Sequence, residues 1–120
     1  MLTVFSPIYK PRKLAKFLNT ISNQSYRPIK FVLALDAPKS TIEYNSKKYN
    51  KDIKIIKNFI KRKTKKNFQI QLKIRKKNLT SNGNARKFIF EEKIKTKYIL
   101  FYSQNDFLIE KNFLKDSINF

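Results

Sequence analysis

The chain contains no cysteine and no histidine. Without cysteine, neither a disulfide framework nor a thiolate metal site can form. Without histidine, the usual general base and the commonest transition-metal ligand are both missing. Any metal chemistry must therefore use oxygen ligands. Glycine is nearly absent, with Gly83 the only one, and acidic residues are scarce: 8 Asp+Glu stand against 28 Lys+Arg. No apolar run approaches the ~20 residues needed to span a bilayer. No signal-peptide pattern is seen, because the first basic residue, Lys10, follows the apolar stretch Leu2–Phe5 instead of preceding it. The expected location is cytoplasmic, with peripheral contact at the inner face of the membrane as an extension.

What is present points to a folded domain. Hydrophobic residues make up 41% and aromatics 14% of 120 residues, enough for one domain with a real core. The formal net charge of +20 points toward nucleic acid or an anionic membrane surface. Most of that charge is lysine, however, in a background rich in Asn, Ile and Phe. An AT-rich coding sequence produces this composition on solvated faces whatever the function. Arginine, preferred for bidentate phosphate and base contacts, is scarce.

Apolar periodicity divides the chain into alternating elements. Leu2–Phe5 reads as a short strand, ended by Ser6–Pro11, whose two prolines oppose helix and ladder alike. Leu14, Phe17, Leu18 and Ile21 form one face of a helix. Phe31–Leu35 is a continuous apolar run of strand length that stops at Asp36-Ala37-Pro38. Lys39–Lys51 is polar and reads as loop or weak helix, followed by the helical stripe Ile55, Ile56, Phe59 and Ile60. The cationic run Lys61–Lys66 suits a helix C-terminus. Phe68, Ile70, Leu72 and Ile74 alternate as in a half-exposed strand. The loop Lys76–Asn84 precedes a third helix that starts at Ala85. Tyr98–Tyr102 is a further run suited to a buried strand, and Phe107–Phe120 reads as a final helix. Strand and helix alternate throughout, which predicts an α/β domain with a mostly parallel sheet, flanking helices and right-handed crossovers.

In such sheets, ligands bind beyond the carboxyl ends of the strands. Ser6–Tyr9, Asp36 and Ser103–Asp106 fall there, and Asn78–Asn84 leads into a helix whose backbone N–H groups attract phosphate. Singly, each has a structural explanation as a turn or cap. Jointly, they suit a nucleoside diphosphate.

The same segments resemble family 2 glycosyltransferases. Ser6-Pro7-Ile8-Tyr9-Lys10 is similar to the family's "P-x-Y-N" opening, with Lys10 in place of Asn. Ile21–Tyr26 resembles "I-x-x-Q-T/S-Y", and Phe31–Pro38 resembles the strand that ends in "D-G-P". Asn78 and Gly83-Asn84-Ala85-Arg86 resemble "N-x-G…A-R-N", with Lys87 replacing the last Asn. Lys97–Phe101 followed by Ser103-Gln104-Asn105-Asp106 resembles "Y-I-x-F-x-D-x-D-D". The ordered set covers nearly the whole chain.

The resemblance implies a Rossmann-like GT-A domain over residues 1–120, without the acceptor-binding C-terminal part. Its ligand would be a nucleoside-diphosphate sugar, with Pro7, Tyr9, Asp36, Gly83, Arg86, Ser103 and Asn105 as binding residues and Asp36 on the base. Transfer would be to a glycan or lipid-linked acceptor. A divalent metal, Mg²⁺ or Mn²⁺, would be held at Asn105 and Asp106. Ser103 and Asn105 replace carboxylates of the family's acidic motif, so metal affinity is expected to be low. No catalytic base can be named: Glu110 and Asp116 read as members of a solvated helix. The alternative is a small basic nucleic-acid-binding module, with Lys61–Lys66 and Lys73–Lys77 flanking Phe68 as a stacking surface. The solvated-lysine explanation of those segments makes nucleic acid the weaker expectation.

Overall fold

The computed structural model describes residues 1–93, 95–108 and 110–119. Its elements are β1 (Leu2–Ile8), α1 (Leu14–Ser22), β2 (Ile29–Leu35), α2 (Ser46–Lys63), β3 (Phe68–Ile74), α3 (Thr80–Glu91), β4 (Tyr98–Phe101) and α4 (Phe113–Asn119). The four strands pair in parallel in the order β3-β2-β1-β4. The first three strands step outward, and the fourth returns to the other side of β1. With right-handed crossovers, that reversal sends the connecting helices to opposite faces. One face accordingly packs Leu14, Phe17, Leu18 and Ile21 of α1, Ile56 and Phe59 of α2, and Leu114 of α4 onto Val4, Ile8, Phe31 and Leu33. On the opposite face, Phe88 and Ala85 of α3 cover Phe5, Val32 and Ala34.

Strand β1 does not end at Phe5 as its prolines suggested, but continues through Pro7 to Ile8. Successive residues of a strand send their backbone groups to opposite neighbours. The Ile8 carbonyl accepts from Asp36 N–H at 2.8 Å on the β2 side, and the Phe5 carbonyl accepts from Tyr102 N–H at 2.8 Å on the β4 side. Pro7 therefore aims its nitrogen toward β4, past the last pair of that ladder, Phe5 with Phe101. Its missing N–H costs no ladder bond there. Pro7 marks the place where β1 and β4 part.

Helix α2 begins earlier than its apolar stripe indicates. The Asn45 side chain caps it by accepting from Lys48 N–H at 2.9 Å. A buried carboxylate, Asp52, accepts from the Tyr44 hydroxyl and pairs with Lys48 Nζ at 2.6 Å. The helix thus extends back through residues 46–51 on the Asn45 cap and the Lys48–Asp52 pair, neither of which an apolar stripe registers. Strand β4, expected to be buried, is an edge: Tyr98, Ile99 and Phe101 are 37%, 40% and 48% exposed. The last helix is shorter than expected and starts at Phe113, so Glu110 lies outside it. The preceding segment is tied to the end of α1 by the buried Gln24. Its amide donates to the Glu110 carbonyl at 2.8 Å and accepts from Leu114 N–H at 3.1 Å. Phe120, the end of the expected helix, lies outside the described residues.

On the α3 face, Glu92 pairs with Lys73 at 3.0 Å and Lys30 at 3.5 Å. The Lys73 hydrogen bond holds the Glu92 carboxyl below the usual glutamate range, against the opposing effect of partial burial. A depressed carboxyl pKa stabilises the fold above its unfolded-state value and ceases to do so as pH falls through the folded value. Urea midpoints of the wild type and Glu92→Gln should therefore differ at neutral pH, with the variant lower, and converge in acid.

Candidate functional site

The strand order reverses at β1, and a crevice opens beyond the carboxyl ends of its neighbours at such a switch point. A cleft of about 640 Å³ occupies that position. Pro7 and Tyr9 enter it from β1, Asp36 from β2, and Ser103 and Asn105 from the turn after β4. Five of the residues singled out from sequence thus share one cavity. Gly83, Arg86 and Asp106 are not among its lining residues. The earlier start of α3 is the reason for the first two. Thr80, Ser81 and Asn82 of its opening turn line the cleft, while Gly83 already lies inside the helix. Gly83 is not in the left-handed region, and a Cβ there would meet Leu79 Cβ at 3.3 Å. It is a packing residue of the first turn instead of part of a loop before the helix. Arg86, two positions before Phe88, is exposed.

Asp36 is 2% exposed, and its side chain organises the cleft wall. Its two carboxylate oxygens accept from Leu79 N–H at 2.9 and 3.1 Å, and one also accepts from Ala37 N–H at 3.1 Å. Asn78 completes the junction by donating to the Ala37 carbonyl at 2.7 Å. The end of β2 is thereby fastened to the start of α3. Thr80, with φ of 63°, lies in the left-handed region that a β-branched residue rarely occupies. Lower in the same wall, Asn84 is fully buried. It accepts from Arg75 Nε at 2.9 Å and donates to the Ala34 carbonyl at 2.9 Å. Arg75 also pairs with Glu91 at 2.7 Å.

Tyr9 is held from the other side. Gln104 spans the gap between β1 and β4, accepting from Tyr9 N–H at 2.7 Å and donating to the Tyr9 carbonyl at 2.6 Å. The Tyr9 hydroxyl donates to Glu43 at 2.6 Å and accepts from Lys39 N–H at 3.1 Å. Its ring meets Tyr44 edge to face at 5.4 Å. Burial, and then the Glu43 carboxylate, raise the Tyr9 hydroxyl above its ordinary pKa, so it remains a donor. Sequence pattern includes Gln104 in the Ser103–Asp106 cluster without giving it a role, and it does not single out Glu43. Their partners lie 95 and 34 positions away along the chain, and an amide that clasps a distant backbone leaves no local spacing signal.

The oxygen donors around the turn after β4 fit a divalent cation poorly. Mg²⁺ is ordinarily held by one or two carboxylates together with phosphate oxygens. The cleft offers the Ser103 hydroxyl and the Asn105 amide from this turn, and its own carboxylate, Asp36, is engaged with Leu79 and Ala37. Asp106 is exposed outside the cleft lining. Among the described residues, no three acidic side chains gather at one point.

Phe68 does not present a stacking surface. It is 2% exposed, stacks on Phe31 and lies under the Arg27 guanidinium at 4.6 Å. Lys73, on the same expected surface, is engaged with Glu91 and Glu92. The nucleic-acid surface suggested by the sequence thus loses its aromatic. No helix among the described residues is long and apolar enough to cross a membrane.

No protein-family model matches the sequence. No curated protein matches it either. Solved structures do share the fold. Residues 1–349 of TarS from S. aureus superpose with a TM-score of 0.70 at 18% identity, covering 98% of this chain and 31% of that one. The same TarS piece in complex with UDP gives a TM-score of 0.63 at 18% identity, again covering 98% and 31%. A longer TarS structure gives 0.63 at 18% identity, covering 98% and 19%. The chain thus spans less than a third of the length of these neighbours. It shares with them an α/β fold built on a parallel sheet flanked by helices.

Proposed function

We propose that the cleft binds a nucleoside-diphosphate sugar and that the chain is the donor-binding part of a family 2-like glycosyltransferase. The observation that carries this reading is the convergence of Pro7, Tyr9, Asp36, Ser103 and Asn105 on one crevice at the topological switch point. The likeness of fold to a TarS structure in complex with UDP supports the same ligand class. Pro7 and Tyr9 supply an apolar wall for the base. Asp36 offers lone pairs beyond those used by Leu79 and Ala37, since a carboxylate accepts about four hydrogen bonds. Ser103 and Asn105 lie on the β4 side, where the diphosphate would run. A metal at Asn105 and Asp106 would add charge neutralisation, but the donors around that turn would hold it weakly. No step is assigned to it.

The acceptor, a glycan or lipid-linked sugar, would be met outside this cleft. Glu110 and Asp116 line neither the cleft nor the cavity beside it, and no base is assigned to either. Calorimetry with UDP and with a single-stranded RNA oligonucleotide, each at low and high salt, tests the reading. UDP should bind with a modest salt dependence, because base recognition is not a counterion effect. Any RNA binding should collapse steeply. Salt-sensitive RNA binding with no measurable UDP binding would replace this reading with the nucleic-acid one.

A further inference from the structure

A bound diphosphate carries negative charge that something in the cleft must balance, and the turn after β4 supplies poor metal donors. Cations stand close by. A second cavity of about 660 Å³ shares Tyr9, Gln104 and Asn105 with the first, and Lys10, Arg12 and Lys48 line it. Its one lining carboxylate, Glu43, is engaged by the Tyr9 hydroxyl at 2.6 Å. The turn that carries the cations is fixed by its own contacts. Lys10 has φ of 46°, in the left-handed region, and bends the chain between Tyr9 and the buried Pro11. Lys48 Nζ donates to the Pro11 carbonyl at 3.2 Å and pairs with the buried Asp52 at 2.6 Å. Lys48 is therefore a strut whose charge is already matched. Lys10 and Arg12, by contrast, are exposed and form no ion pair among the described residues.

We infer that Lys10 and Arg12, on the turn held by Lys48, form a cationic clamp for the diphosphate that stands in for a tightly held divalent metal. The inference rests on the nucleotide reading of the first cleft. Arg12 brings a planar fork that matches phosphate oxygens, and Lys10 brings a mobile point charge. Neither side chain needs to unpair from an existing partner to turn toward the shared wall. Lys39, whose ammonium lies 6.0 Å from the centroid of the Tyr9 ring, adds positive charge on the side of the first cavity.

The test is calorimetry of UDP and uridine with the wild type and with Lys10→Gln/Arg12→Gln, in EDTA and in MgCl2. Both residues are exposed, and circular dichroism with a urea midpoint checks that the double variant is folded. For the wild type, chelation should change the UDP Kd by less than about threefold. The double variant should weaken UDP about fivefold, as expected for losing two solvent-exposed charge contacts, and leave uridine unchanged. UDP binding that depends strongly on Mg²⁺, or a folded double variant that binds UDP like the wild type, would overturn the clamp while leaving the nucleotide cleft in place. Failure of the wild type to bind UDP in either buffer would overturn the reading of the cleft, and the clamp with it.

Discussion

Asp36→Ala is expected to weaken UDP binding about 10- to 100-fold, a loss of ~1.5–3 kcal/mol for a hydrogen bond to a charged group. Two effects combine at this position. In the proposed reading the carboxylate accepts from the base. It also holds Leu79 N–H at 2.9 and 3.1 Å, fixing the loop that presents Thr80, Ser81 and Asn82 to the cleft. Because Asp36 is only 2% exposed and holds the Leu79 N–H with both oxygens, its removal leaves that N–H without its carboxylate partner. Asp36→Asn separates the two effects. One amide oxygen can still accept from Leu79, so the urea midpoint should stay near that of the wild type, while the lost charge still weakens UDP. Calorimetry reads the first quantity and urea unfolding the second. A UDP affinity indifferent to both substitutions would remove Asp36 from the site.

Phe88→Ala should cost about 3–5 kcal/mol of stability, the range for removing a large aromatic from a core. Phe88 is 1% exposed and stacks on Phe5 at a centroid distance of 4.1 Å, with Phe101 edge-on to both rings. The buried cluster beneath α3 is small: Phe5, Val32 and Ala34, with Ala85 packed at its margin. Little else can collapse into the void. Small domains have total stabilities of about 5–15 kcal/mol, so a large part of the fold's margin is at stake. UDP binding should fall with it, because α3 is one wall of the cleft. Phe90→Ala is the internal control. Phe90 is 83% exposed on the same helix, and its loss should change stability by less than about 0.5 kcal/mol. Equal urea midpoints for Phe88→Ala and the wild type would contradict the packing described for this face.

The alternation of elements was legible because burial on two faces leaves a simple trace. Phe31–Leu35 and the stripe Leu14, Phe17, Leu18, Ile21 are buried as their patterns indicate. Boundaries were less legible wherever a long-range or polar contact decided them. Pro7 reads as a strand terminator until the opposite ladder is seen to stop at Phe5. The start of α2 depends on Asn45 as a cap and on Asp52 buried against Tyr44 and Lys48, none of which an apolar count registers. Strand β4 is apolar like a buried strand, yet it is an edge, and composition does not reveal which strand ends a sheet. The position of the cleft followed from strand-end polar residues, so Pro7, Tyr9, Asp36, Ser103 and Asn105 were found together. The roles of residues that act through distant partners were not legible. Gln104 closes on the backbone of Tyr9, and Lys48 holds the carbonyl of Pro11.

The central claim is that a nucleoside diphosphate occupies the crevice between the ends of β1, β2 and β4. Amide chemical-shift mapping of the isotopically labelled protein during a UDP titration tests it most directly. The account predicts saturable shifts at Tyr9, Lys10, Asp36, Asn78–Asn82 and Ser103–Asn105, with the α2 end at Lys61–Lys66 unmoved. Shifts confined to Lys61–Lys66, or a titration that moves no amide around the crevice, would contradict it.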